Sequence, residues 1–224
     1  MYIILMLGIM LASWLVGARF KNRFKLYAAT PLYSGLTGEE VARRMLAEHG
    51  IHDVQVISTA GQLTDHYDPT KRSVNLSHEV FYGRSVAAAA VAAHEVGHAV
   101  QHATAYAWLQ FRSAMVPALS VTNRVMPWIL IGGILTLQVF PQLLLIGIVL
   151  FAGTTLFSFV TLPVEFDASR RALVWLDRSN ITHSQQHTMA KDALHWAAMT
   201  YVVAALSSLA TLLYYVSIFM NRRD

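Results

Sequence analysis

Hydrophobic and polar positions fall into two regimes along the chain: long uncharged stretches, and shorter segments in which apolar residues recur at helical or strand spacing. Tyr2 to Ala18 is the first uncharged stretch. Val125 to Val164 contains 40 consecutive uncharged residues, with Pro141 as the natural break inside it. The last apolar run extends from Ala197 to Met220. A bilayer span needs about 20 mostly apolar residues, and about 17 at the short end. The pattern therefore predicts four membrane passes, over residues 1–18, 118–140, 141–163 and 197–220.

The remaining segments read as helix, small sheet, helix. Thr37-Gly38-Glu39-Glu40 is a capping box, followed by Val41, Met45 and Leu46 at helical spacing and a stop at Gly50. Val54 to Ser58 alternates as a strand does. Leu63 to Asp68 and Ser73 to Ser77 predict two strands around the turn Asp68-Pro69-Thr70-Lys71. Ser85 then caps an Ala-rich helix predicted to run from Val86 to about Gln110. No internal repeat or low-complexity linker interrupts the chain, so residues 1–224 are read as a single membrane-embedded unit.

Composition narrows the class. Apolar residues make up 55% and charged residues 13%, about half the roughly 25% charge of a soluble domain. A disordered chain is excluded on that basis, and the composition argues against an ordinary water-soluble globule. The absence of cysteine removes disulfides, thiolate metal sites and a cysteine nucleophile. The net charge of +4 is too modest to argue for nucleic acid and bears instead on topology. Arg19, Lys21, Arg23 and Lys25 follow the first apolar stretch, the reverse of the charge order in a signal peptide. That predicts an anchor with its N-terminus outside. Residues 19–115 and 164–195 then lie in the cytoplasm and hold 14 of the 17 Lys and Arg residues, with Arg222 and Arg223 opposing the assignment. The fold class expected is mainly α, an integral-membrane helical bundle with a small β-hairpin or sheet.

His94-Glu95-Val96-Gly97-His98 lies within the Ala-rich helix. Residues four apart share a helix face, so both imidazoles can reach one ion. Zinc accepts two such nitrogens and leaves room for a third ligand and a water, with the intervening Glu placed to take the water's proton. The competing reading is a pair of hydrogen-bonded core histidines. Against it, Val86 to Ala93 is small and apolar, a setting in which an unpaired Glu is costly.

The third ligand cannot follow in the extended H-E-x-x-H-x-x-G-x-x-H pattern, because Gln101 and Thr104 occupy the positions concerned. Glu165, at the end of a predicted pass in Leu162-Pro163-Val164-Glu165-Phe166-Asp167, is the candidate. Alternatively, it is the first-turn acid of an interfacial helix begun by Pro163. His102 lies on the same face as His98. His183, His187, Lys191 and His195 form a basic stripe that suits a solvated face or lipid headgroups. A member of that stripe, or Tyr201, is a candidate to stabilise an oxyanion.

Together, Tyr67-Asp68-Pro69, Val74-Asn75-Leu76-Ser77, Gly83-Arg84-Ser85-Val86-Ala87, Ala92 to Gln101, Leu162 to Ala172 and Thr200-Tyr201 resemble the YugP-like neutral zinc metallopeptidases of bacterial membranes. More distantly, the chain is similar to HtpX-type and CAAX-prenyl membrane proteases. The resemblance implies one zinc ion held by His94, His98 and Glu165, with Glu95 as the base. In the distant relatives an Asp follows four residues after the ligand Glu. Ser169 stands there in this chain, so the residue supporting a ligand histidine is left unassigned, Asp167 being the nearest substitute.

The function expected is an integral-membrane zinc endopeptidase in a bacterial cytoplasmic membrane, with its site at the cytoplasmic side. Zinc-activated water would cleave a peptide bond of a peptide or protein substrate, with Glu95 as base. The alternatives are a non-proteolytic zinc-binding scaffold or chaperone that keeps the fold, and a transporter. Val125 to Val164 contains no ionisable group, which argues against the transporter. The hairpin of Leu63 to Asp68 and Ser73 to Ser77 is expected either to offer a sheet edge, probed at Asn75 to Ser77, to an extended substrate or only to cap the bundle. Oligomeric state is left open.

Overall fold

The computed structural model describes residues 2–221, so the topological conflict posed by Arg222 and Arg223 lies outside the described residues. Seven α-helices and three strands follow in the order α1 (Tyr2–Ala28), α2 (Gly38–Glu48), β1 (Gln55–Thr59), β2 (His66–Asp68), β3 (Ser73–Ser77), α3 (His78–Phe81), α4 (Val86–Ala103), α5 (Ala107–Leu135), α6 (Pro141–Arg178) and α7 (Gln185–Met220).

α2 begins at the predicted capping box: Thr37 Oγ1 accepts from the Glu40 amide at 3.1 Å, and Glu40 accepts from the Thr37 amide at 2.7 Å. Val41, Met45 and Leu46 of this helix are buried against α4. α4 is the central element, touching α1, α2, α6 and α7. Its alanines carry no side chain beyond Cβ, so neighbouring helices can approach from several directions.

Three helices end in the same hydrogen-bond pattern with different residues in the left-handed position. After α2 it is Gly50 (φ +68), after α6 Asn180 (φ +53) and after α4 Ala105 (φ +51). At α4, the Tyr106 amide donates to the Gln101 carbonyl and the Ala105 amide to that of His102, which closes a Schellman turn. The helix expected to reach Gln110 therefore stops at Ala103, and α5 starts at Ala107 in a new direction. Alanine gives no turn signal, which is why the sequence pattern runs straight through.

The sheet has the order β1-β3-β2, with β1 parallel and β2 antiparallel to β3. The hairpin turn is where expected, Asp68 Oδ1 accepting from the amides of Thr70 and Lys71. The strand predicted from Leu63 begins only at His66. β3 is the central strand and is buried throughout, so Asn75 to Ser77 is not an edge. The edges of the sheet are β1 and β2.

Among the described residues, three helices, α5, α6 and α7, are long and apolar enough to cross a membrane. All three exceed the predicted passes, and α6 continues through Pro163 into the polar segment beyond it. α1 has 27 residues but carries four basic residues in its second half, and the first of the four expected passes is not among the three. α5 and α6 pack closely at Gly133, where a Cβ would come within 2.5 Å of the Leu144 backbone. Thr155 on α6 meets Ser208 on α7 at 2.8 Å. Small residues and hydroxyl pairs of this kind hold helices together in lipid.

Candidate metal and catalytic site

The 3.6-residue period of α4 places His94 and His98 on one face, their rings edge-to-face with centroids 4.8 Å apart. α6 crosses that face and contributes Glu165. Its Oε2 lies 3.3 Å from His94 Nε2 and 3.7 Å from His98 Nε2. The crossing depends on Gly97: a Cβ there would meet the Ala168 carbonyl oxygen at 2.6 Å. His94, His98 and Glu165 are thus brought together as the sequence predicted.

These residues fit a metal. A tetrahedral ion with bonds of about 2.0–2.2 Å separates its ligand atoms by roughly 3.3–3.6 Å, close to the two distances found. The hydrogen bonds of His98 carry the point further. Gln101 Nε2 donates to the Val164 carbonyl at 2.8 Å and to Asp167 at 3.0 Å. Its Oε1 must therefore accept from His98 Nδ1, 3.0 Å away. In the neutral ring, the Nε2 lone pair then faces a carboxylate oxygen, an arrangement that requires positive charge between them. Burial opposes charge on His98, but the Glu165 and Glu95 carboxylates hold its pKa above the usual histidine range. On the other ligand ring, Nδ1 of His94 meets Ser169 Oγ at 3.1 Å.

The unassigned support is therefore resolved as a relay. Gln101 joins His98 to Asp167, and Asp167 is in turn gripped by Arg170 and Arg171. Sequence reasoning treated Gln101 only as a missing ligand.

Glu95 is 8% exposed. Burial raises its pKa, as do Glu165 and Asp65, while His94 and His98 oppose the rise. A cavity of about 520 Å³ opens onto Glu95, His94, His98 and Glu165. Asp65 with His66 and Tyr67 of β2 forms one side of it, and Arg112 of α5 forms another. Tyr201 of α7 also lines this space.

Two further residues escaped the sequence reading. Arg112 approaches the other Glu165 oxygen, with Nη1 3.4 Å from Oε1. It arrives there only because the chain turns after α4. Asp65 accepts from the amide and hydroxyl of Ser77, tying the start of β2 to the end of β3; burial raises its pKa against those hydrogen bonds. His102 is not beside the ligands. Its Nδ1 pairs with the Tyr67 hydroxyl at 2.8 Å. His187, Lys191 and His195 face a different cavity, shared with Arg170 and Asp177 on α6.

Residues 2–220 match the family model described as "Putative neutral zinc metallopeptidase". The chain belongs to this family. It is 41% identical over 224 residues to the "Putative membrane protease YugP" of Bacillus subtilis (strain 168), covering 100% of this chain and 99% of that protein. No solved structure matches. Membership of a zinc peptidase family agrees with the His94, His98 and Glu165 donor set, whose ligand atoms lie within 4.8 Å of one another.

Proposed function

We propose that this protein is an integral-membrane zinc endopeptidase. The observation that carries the reading is the position of Glu95. It is buried beside the convergent His94, His98 and Glu165 donors and faces a cavity of about 520 Å³. A scaffold would need the ligands but not this carboxylate.

His94, His98 and Glu165 would hold the zinc, one ion per chain. When bound, it supplies a Lewis acid that polarises the substrate carbonyl and acidifies a water molecule. Glu95 takes the proton from that water as it attacks and passes it to the leaving amine. Tyr201 donates to the oxygen of the attacked carbonyl. Arg112 steadies the Glu165 oxygen that faces away from the histidines. The open edge of β2 aligns the substrate main chain by strand addition.

α1 adds a fourth pass to α5, α6 and α7, with Arg19 to Lys25 at its cytoplasmic end. The site then lies at the cytoplasmic surface of a bacterial cytoplasmic membrane, within reach of peptide segments emerging from the bilayer. The test is cleavage of a peptide library by detergent-purified protein, compared with Glu95→Gln and with chelator-treated protein. Turnover by the wild type that neither change reduces would overturn the reading.

A further inference from the structure

The metal residues occupy the middle of a longer trough. A second cavity, of about 230 Å³, lies between α1, α4 and α7. It shares Asp65, His94, Glu95, Glu165 and Tyr201 with the first, so a chain laid across the site has one flank in each. The first flank mixes Arg112, His66, Thr70 and Ser113 with the apolar Leu109, Val116 and Pro117. Beyond the shared residues and the hydroxyls of Ser169 and Thr200, the second is apolar, with Phe20, Phe24, Val91, Ala193, Leu194 and Ala197 prominent in its walls.

Its walls are held in place without a ligand. Phe20 and Phe24 pack with ring centroids 5.8 Å apart. Phe24 also packs against the buried cluster of Tyr27, Ala87 and Ala193. Just beyond, the Tyr27 hydroxyl donates to Asp192 at 2.7 Å and Arg23 pairs with Asp192 at 3.4 Å, fastening α1 to α7. Ala193 and Ala197 are one helical turn apart, so two minimal side chains leave the α7 wall open.

We infer that this second cavity is a specificity pocket for one large apolar side chain, of the Leu, Met or Phe class, at the residue flanking the scissile bond, with Ala197 setting its depth. The inference rests on the peptidase reading. The volume is below the roughly 300–1,000 Å³ of sites that enclose whole small molecules and suits a single side chain. Differences in side-chain size within such a pocket discriminate by about 10–200-fold.

The experiment uses full-length protein in detergent and fluorogenic peptides that vary only at the two flanking residues, as Gly, Ala, Leu or Phe. The wild type should favour Leu or Phe over Gly by about 10-fold or more in kcat/KM, at one flanking position only. Ala197→Phe should lose that preference while keeping its zinc content and its turnover of Gly and Ala peptides. Phe24→Ala, which enlarges the pocket, should shift the preference from Leu towards Phe. Anisotropy of the same labelled peptides with metal-stripped protein should show the same Leu-over-Gly order, dependent on Ala197. An unchanged Leu-to-Gly ratio in both variants overturns the pocket. Ala197-dependent binding of the Leu peptide by a wild type that cleaves nothing upholds the pocket and overturns the peptidase reading.

Discussion

The α-carbon of Gly97 faces the backbone of Ala168 so closely that a methyl group on it would lie 2.6 Å from the Ala168 carbonyl oxygen. Gly97 lies between the two histidines on α4, and Ala168 lies three residues beyond Glu165 on α6. The distance between the donors on the two helices is therefore set at this contact. Gly97→Ala should force the helices apart at an overpacking cost of about 1–3 kcal/mol. Thermal unfolding should show a lower Tm, and metal titration a weaker site. Wild-type values for both would show that the contact does not control the approach.

Removing a ligand and removing the base should have opposite signatures. Glu165→Ala should lose bound zinc by elemental analysis, with affinity falling beyond the roughly 10–100-fold typical of groups behind the ligands. Glu95→Gln should keep its metal and fold while turnover falls by about 10²–10⁴-fold.

The Gln101 relay gives an intermediate case. Gln101→Leu leaves His98 Nδ1 without its acceptor and Asp167 without one donor, while replacing the amide by an apolar side chain of similar size. Zinc affinity should fall by about 10–100-fold in competition with a chelator. Gln101→Glu keeps an acceptor for Nδ1 and should recover part of that loss, although it places a second acid beside Asp167.

Glu48 supplies a pH-dependent link outside the site. Its carboxylate accepts from Ser179, Arg44 and Trp175, joining the end of α2 to the end of α6. The hydrogen bond from Ser179, followed by that from Arg44, lowers its pKa against a smaller effect of burial. The folded pKa thus lies below the unfolded value of about 4.3. Its stabilising contribution is complete above that value and is lost as pH falls through the folded pKa. The Tm difference between wild type and Glu48→Gln should be larger at neutral pH than in acid. A difference independent of pH would show that the carboxylate charge contributes nothing to the link.

The sequence by itself determined the long apolar helices, the capping box at Thr37, the hairpin turn at Asp68 and the shared face of His94 and His98. Each depends on composition or on residues a few positions apart, where helical period and turn chemistry apply directly. Glu165 was also legible, as an acid at the end of an apolar run. Only the tertiary structure decided that α4 stops at Ala103, since an alanine in the left-handed position gives no warning. It alone made β3 the central strand and left β2 at an edge, because strand order follows from pairings between distant segments. It alone brought Gln101, Arg112 and Asp65 to the site. Gln101 meets Val164 and Asp167 more than 60 positions away, and Arg112 meets Glu165 at a separation of 53. Such contacts arise from how helices cross, and no local pattern along the chain encodes where they will meet.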